Sequence, residues 1–125
     1  MKNLIIDANR EEVFFSIIAE SQSYTTKHTN SRENFDKFVG LLLTFLKKHK
    51  TEIKDIEKIF VNQGPGKFSG IRASISTAKA LSITNKINLY GFCSTDVNGQ
   101  NYQKIIDLYN KGILIKNLIK PQYSS

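Results

Sequence analysis

The sequence predicts an α/β domain on a mixed β-sheet, and three observations carry that expectation. Three short runs rich in apolar and β-branched residues open the chain, separated by polar turns. A helical apolar repeat follows, and after it a strand, a glycine-rich loop and a second helical stretch come in direct succession. A meander pairs antiparallel, whereas strands separated by helices pair parallel through right-handed crossovers, so the sheet is mixed. With 125 residues, 40% of them hydrophobic and 23% charged, the chain suits one core and lies far from the composition of disordered chains.

Leu4 to Ile6, Val13 to Ile18 and Tyr24 to His28 are the opening strands, with Ala8-Asn9-Arg10-Glu11-Glu12 and Glu20-Ser21-Gln22 as turns. Val13 to Ile18 is apolar on both faces and expects cover on two sides, while Ser23 to His28 is polar and suits an edge. Asn30 and Glu33 have the spacing of a capping box, and Phe35, Phe38, Val39, Leu42, Phe45 and Leu46 recur behind it at helical spacing. Leu41 and Leu43 widen that apolar face, so this helix, Asn30 to Leu46, is expected to pack against two surfaces. Ile56 to Val61 is a fourth strand, Ile71 to Ile83 a second helix and Asn88 to Cys93 a fifth strand. Ser94 to Asn101 reads as a polar loop, Tyr102 to Asn110 as a short amphipathic helix, and Ile113 to Ile119 as an apolar tail before Pro121. The order β-β-β-α-β-α-β is that of the ribonuclease-H-like fold, which also forms each half of the actin-like ATPases. It predicts a five-stranded mixed sheet in the order 3-2-1-4-5, with the two main helices on one face and the C-terminal segment elsewhere.

A net charge of +7, from 18 basic and 11 acidic residues, permits an acidic partner without demanding one. Arg10, Arg32 and Arg72 are the only arginines, and bidentate recognition of phosphate favours arginine over lysine. The longest basic cluster, Lys47-Lys48-His49-Lys50, falls at the end of the first helix, where cations complement the dipole. Cys93 can form no internal disulfide, and His28 and His49 lie on different elements, so neither a Cys/His zinc site nor a paired-histidine protease site is available and no metal is expected. No apolar run approaches the roughly 20 residues that span a bilayer. Leu4-Ile5-Ile6 is too short for a secretory segment, so a cytoplasmic protein without a membrane partner is expected. Asp7 is the one carboxylate placed for nuclease chemistry, since the fourth strand ends in Asn62-Gln63 and the first helix brings only Glu33. Two-metal cleavage needs several converging carboxylates. Asp7 is therefore expected to cap the neighbouring turn.

The loop Gln63-Gly64-Pro65-Gly66-Lys67-Phe68-Ser69-Gly70 has two readings. Free amides at a helix N-terminus can bind phosphate. Alternatively, the glycines serve a tight strand-to-helix turn that Pro65 stiffens. Gly64, Gly66 and Gly70 form G-x-G-x-x-x-G, one residue longer than the dinucleotide fingerprint, and Lys67 is followed by Phe68 rather than the hydroxyl residue of a Walker loop.

Gly64 to Arg72, then Ala73 and Thr77-Ala78-Lys79-Ala80-Leu81, closely resembles the G-P-G-S-F-T-G-L-R…A-T-A-K-G-L segment of the TsaB (YeaZ) family. Leu4-Ile5-Ile6-Asp7 resembles that family's opening I-D-T strand, Asn30 to Leu46 its first helix, and Asn88 to Ser94 the strand that enters its G-V-S-S-type turn. Pro121-Gln122-Tyr123 looks like the P-x-Y near the family's C-terminus. The resemblance implies a non-catalytic actin-like subunit of the bacterial machinery that makes threonylcarbamoyladenosine in tRNA, next to the anticodon. Its implied partners are TsaD, the transferase, and TsaE, which joins as an ATPase; tRNA is reached through the complex, and no cofactor is implied. Family helices form the TsaB homodimer and the TsaB–TsaD contact, which places the partner interface on Phe38, Leu41, Leu42, Phe45, Arg72, Ser74, Ala78 and Leu81. Small residues from Ala73 to Ala80 would let another helix approach, although packing on the protein's own sheet asks for the same residues. Arg72, in the first turn of its helix, opposes the dipole and is better tolerated beside an acidic partner.

Family members carry a second actin-like half after the S-S turn. Residues 1–94 are accordingly expected to form the N-terminal domain, and 95–125 a remnant of the second half, a helical tail. That loss should leave apolar surface for a partner to cover. Lys67 and Ser69 replace the family's Ser and Thr, and Asp7-Ala8-Asn9-Arg10 lacks the hydroxyls with which actin-like ATPases hold phosphate, so no ATP hydrolysis by this chain alone is expected. Two other readings remain. One is a degenerate actin-like ATPase or kinase fragment, which needs a further domain for adenosine; the other is a free-standing tRNA-binding module drawing on Arg10, Arg72 and Lys67.

Overall fold

Alternation along the first strand decides the architecture. In β1 (Lys2–Ala8), Leu4, Ile6 and Ala8 enter one core cluster and Ile5 enters another, so the strand is covered on both faces and belongs inside a sheet. The structure, a computed structural model, describes residues 2–8, 12–66, 68–97 and 101–116. β1 lies between antiparallel β2 (Glu12–Ile18) and parallel β4 (Ile56–Asn62), with β3 (Ser23–Thr29) beyond β2 and β5 (Asn88–Phe92) beyond β4. The expected order 3-2-1-4-5 is present, and β6 (Ile115–Lys116) adds a sixth strand antiparallel to β5. Two residues inside an apolar tail offer no alternation from which to read a strand.

The long first helix is two helices, α1 (Arg32–Asp36) and α2 (Phe38–Lys48), because Lys37 leaves helical geometry at φ −107° and ψ 10°. The break turns Phe38 inward, where its ring meets Phe15 edge-on at 5.3 Å. The expected capping box is replaced. Ser31 Oγ accepts the Asn34 amide at 3.4 Å, Glu33 pairs with Lys37 at 3.0 Å, and Asn30 is buried against Gly70. α3 (Phe68–Asn85) begins inside the glycine-rich loop, three residues earlier than its apolar period signals.

Three helices end alike. After α2, the Thr51 amide donates to Leu46 O at 2.9 Å and the Lys50 amide to Lys47 O at 3.0 Å, with Lys50 at φ 52°. After α3, Ile87 donates to Ser82 O at 3.0 Å and Lys86 stands at φ 55°. After α4 (Gln103–Asn110), Ile113 donates to Leu108 O at 3.2 Å, and the left-handed position is Gly112 at φ 71°. These are Schellman closures, in which the left-handed residue is ordinarily glycine.

The two faces carry separate cores. Phe38, Leu42, Phe45 and Leu46 of α2 and Ile71, Ile75 and Ala78 of α3 pack on one face with Leu4, Ile6, Phe15, Ile59 and Val61. On the other, Tyr102 and Ile105, with Ile106 and Tyr109, cover Ile5, Phe14, Phe60, Tyr90 and Phe92. The main helices therefore share one face and the C-terminal segment lies elsewhere, as expected. The sheet face away from α2 and α3 is closed by α4. Among the described residues, the large apolar side chains left exposed are Tyr24, Val39, Leu43, Ile83 and Ile113.

Candidate functional site

Asp7 and Asn62 lie at the carboxyl ends of the adjacent parallel strands β1 and β4, whose chains then leave in opposite directions, toward β2 and toward β5. Such a divergence opens a crevice at the carboxyl ends of the strands, the usual ligand position in open α/β sheets. Here it is filled by the protein's own groups. Asn62 Nδ2 donates to Asp7 Oδ1 at 2.7 Å, and the Tyr102 hydroxyl donates to Asp7 Oδ2 at 2.6 Å. Asn62 Oδ1 accepts the Gly64 amide at 2.8 Å, and Ser94 Oγ donates to Pro65 O at 2.7 Å while lying 3.0 Å from Asn62 Nδ2. Ser94 N also donates to Gly64 O at 2.9 Å, so the loop is stitched to the exit of β5.

Both oxygens of Asp7 thus face neutral donors, and the carboxylate is only 3% exposed. Burial pushes its pKa above the ordinary 3.8, against the opposing hydrogen bonds from Tyr102 and Asn62. Burial and the adjacent carboxylate hold the Tyr102 phenol above its usual range, so it remains a donor. The turn that Asp7 is expected to cap, residues 9–11, lies outside the described residues; among the described ones Asp7 fastens β1 to β4 and to the residue that precedes α4. No cluster of three or more His, Cys, Asp or Glu residues suited to a metal ion occurs among the described residues.

The loop follows the turn reading in its geometry. Gly64 has φ 116°, which disfavours any side chain, and its amide is already taken by Asn62. A Cβ at Gly70 would stand 2.6 Å from Asn30 Oδ1, so glycine here admits close packing of the buried Asn30 amide. Gly66 and Ile71 are buried, Pro65 and Ser69 exposed, and the Gly64–Pro65 peptide is cis. Lys67, the Phe68 side chain, Arg10 and Pro121-Gln122-Tyr123 lie outside the described residues.

The residues expected at a partner interface divide. Phe38, Leu42, Phe45, Ser74 and Ala78 point into the core, Leu41 and Leu81 are half-buried against it, and Arg72 is exposed. The physical reason is the sheet itself, which takes the apolar stripe of α2 and the small stripe of α3. Arg72 stands in the second helical turn, not the first, because α3 begins at Phe68. Outward on α2 lie Val39 and Leu43, 50% and 46% exposed, and outward on α3 lie Arg72, Ser76, Ala80 and Ile83 at successive turns. Val39 and Leu43 are read in the sequence as part of one wide stripe; their i, i+4 spacing is the signal that separates them. Tyr102 has no local signal, since it meets Asp7 only in the folded chain.

The family model described as TsaD, tRNA N6-adenosine threonylcarbamoyltransferase, matches residues 16–105. The chain belongs to this TsaD-type family. Within it, the chain is a TsaB/YeaZ member, similar to the tRNA threonylcarbamoyladenosine biosynthesis protein TsaB of Buchnera aphidicola subsp. Schizaphis graminum: 28% identical over 97 residues, 78% of this chain and 46% of that protein. It is also 32% identical over 81 residues to a tRNA N6-adenosine threonylcarbamoyltransferase of Syntrophus aciditrophicus, which covers 63% of this chain and 24% of that protein. The chain thus spans about half or less of the curated relatives it matches. YeaZ from Pseudomonas aeruginosa superposes with a TM-score of 0.72 at 15% identity, over 89% of this chain and 50% of that one. Thermus thermophilus RuvC superposes at 0.52 with 12% identity, over 90% and 80%. These structural likenesses carry the fold: the TsaB/YeaZ member has the ribonuclease-H-like, actin-like architecture.

Proposed function

We propose that this TsaB/YeaZ member acts in tRNA threonylcarbamoyladenosine synthesis as a non-catalytic cytoplasmic subunit that supports a TsaD partner. The observation that carries the reading is the occupied crevice. Asp7, the carboxylate at the strand ends, is held by Asn62 and Tyr102 at 2.7 and 2.6 Å, which leaves it poorly placed to hold a metal or activate water. The first amide of the loop is likewise engaged, which argues against a phosphate cradle and against the kinase-fragment reading. In this proposal residues 1–94 form the family's N-terminal actin-like half and later residues cover its second face. The outward surface of α2 and α3, with Val39, Leu43, Ala80 and Ile83, is the docking face for TsaD or for a second copy, TsaE joining through the complex. No helix among the described residues is long and apolar enough to cross a membrane. The test is reconstitution: tagged chain should capture TsaD of the same organism, and modified tRNA should form only when TsaD is present. Turnover of ATP or RNA by the chain alone, lost in Asp7→Ala, would overturn the non-catalytic reading.

A further inference from the structure

Parallel strands begin at one edge of the sheet, and helices that return between them end there. The starts of β1, β4 and β5 and the ends of α2 and α3 therefore meet at a single edge. Lysines crowd it. Lys54 and Lys58 pair with Glu52 and Glu57, and Asp55 Oδ2 accepts the Glu52 amide at 2.9 Å. Lys2 bonds Thr51 Oγ1 at 2.9 Å, and Lys47, Lys48, Lys50 and Lys86 are exposed without an ion pair to a described residue. Glu20, in the β2–β3 turn, is a further acidic group at this edge.

Cations at helix C-termini answer the dipole, and that alone explains Lys47 and Lys48. It does not explain Lys50 and Lys86. Both occupy the left-handed residue of a Schellman closure, at φ 52° and 55°, where a side chain is strained and glycine is favoured. The same chain uses glycine at the equivalent position after α4, at Gly112. Of these three closures, the two that follow α2 and α3 carry a charge at the strained position.

We propose that this edge binds the phosphodiester backbone of a folded RNA. Five ammonium groups contributed by separate segments suit a polymer with regularly repeated charge better than one acidic side chain. Lysine point charges hold phosphates without reading bases, so the contact is tolerant of sequence. The choice of RNA among polyanions rests on the proposed role in tRNA modification.

The experiment measures binding of a labelled tRNA transcript by anisotropy across a salt series. Log affinity should fall linearly with log salt, by about 0.7–0.9 per phosphate neutralised. Lys50→Gly and Lys86→Gly should leave the melting temperature unchanged or raised, while each weakens tRNA binding about fivefold at 0.1 M salt and flattens the slope by about one contact. Lys104→Gln on α4 removes the same charge away from the edge and should change neither. Equal losses from Lys104→Gln would reduce the effect to net charge and overturn the proposal. Polyglutamate or anionic vesicles competing as well as RNA would overturn the assignment to RNA. Absent RNA binding with TsaD capture intact sinks this inference alone, whereas RNA binding without TsaD capture sinks the scaffold reading alone.

Discussion

The Tyr102 hydroxyl donates to Asp7 Oδ2 at 2.6 Å across 95 positions of chain, joining the first strand to the start of α4. A hydrogen bond to a charged acceptor contributes about 1.5–3 kcal/mol. Tyr102→Phe should therefore lower unfolding free energy by about that amount in urea titrations, with the ring still buried. It should also raise the Asp7 pKa further, because a bond that stabilises the ionised carboxylate is gone. A carboxyl NMR titration that moves downward instead would show that Tyr102 does not stabilise the anion.

Asp7 binds its proton more tightly in the folded chain than at the unfolded value of 3.8. Its contribution to stability is then fully present below that value and is lost as pH rises through the folded pKa. Asp7→Asn removes the ionisation while keeping the shape, so the variant should gain on the wild type between pH 4 and pH 7. Parallel urea curves at the two pH values test the sign. A variant that loses ground to the wild type as pH rises would contradict it.

Core and surface on the helix pair separate by substitution. Ala78 is fully buried, so Ala78→Glu places an unpaired charge in the core and should abolish folding, with a cost above about 4 kcal/mol. Leu43, 46% exposed, tolerates Leu43→Glu with native circular dichroism, and capture of TsaD should fall at least several-fold. Undiminished capture would move the docking face off α2.

Gly70→Ala drives a methyl group to 2.6 Å from the Asn30 amide. Overpacking of this kind costs about 1–3 kcal/mol. Combining it with Asn30→Ser should cost less than the two single changes summed, a coupling that a double-mutant cycle in urea resolves. Strict additivity would mean that the loop relaxes away from Asn30.

Much of the architecture is legible because its signals are local. Leu4-Ile5-Ile6 announces a strand, Val13 to Ile18 a strand covered on both faces, Ser23 to His28 an edge, and Gly64 to Gly70 the entry to a helix. The misread features depend on contacts distant in sequence. Lys37 breaks the helix where Phe38 turns to meet Phe15, and Ser31 displaces Asn30 at the cap because Asn30 is claimed by Gly70. Apolar periodicity along α2 and α3 identifies helical stripes but not which stripe the sheet will take. Ala78 and Leu43 consequently look alike until the sheet is in place. The crevice was half visible: Asp7 and Asn62 stand at strand ends in the sequence, while nothing beside Tyr102 points to its destination.

The position of β1 has a consequence for synthesis on the ribosome. Its first two neighbours arrive out of step, β2 at once and β4 some fifty residues later, and the cover for its second face comes only with Tyr102 and Ile105. Until those residues emerge, Ile5, Phe14 and Phe60 present a bare apolar sheet to the solvent and to other nascent chains. The vulnerable interval is set by where α4 falls in translation order, and a pause just upstream of residue 102 would prolong it.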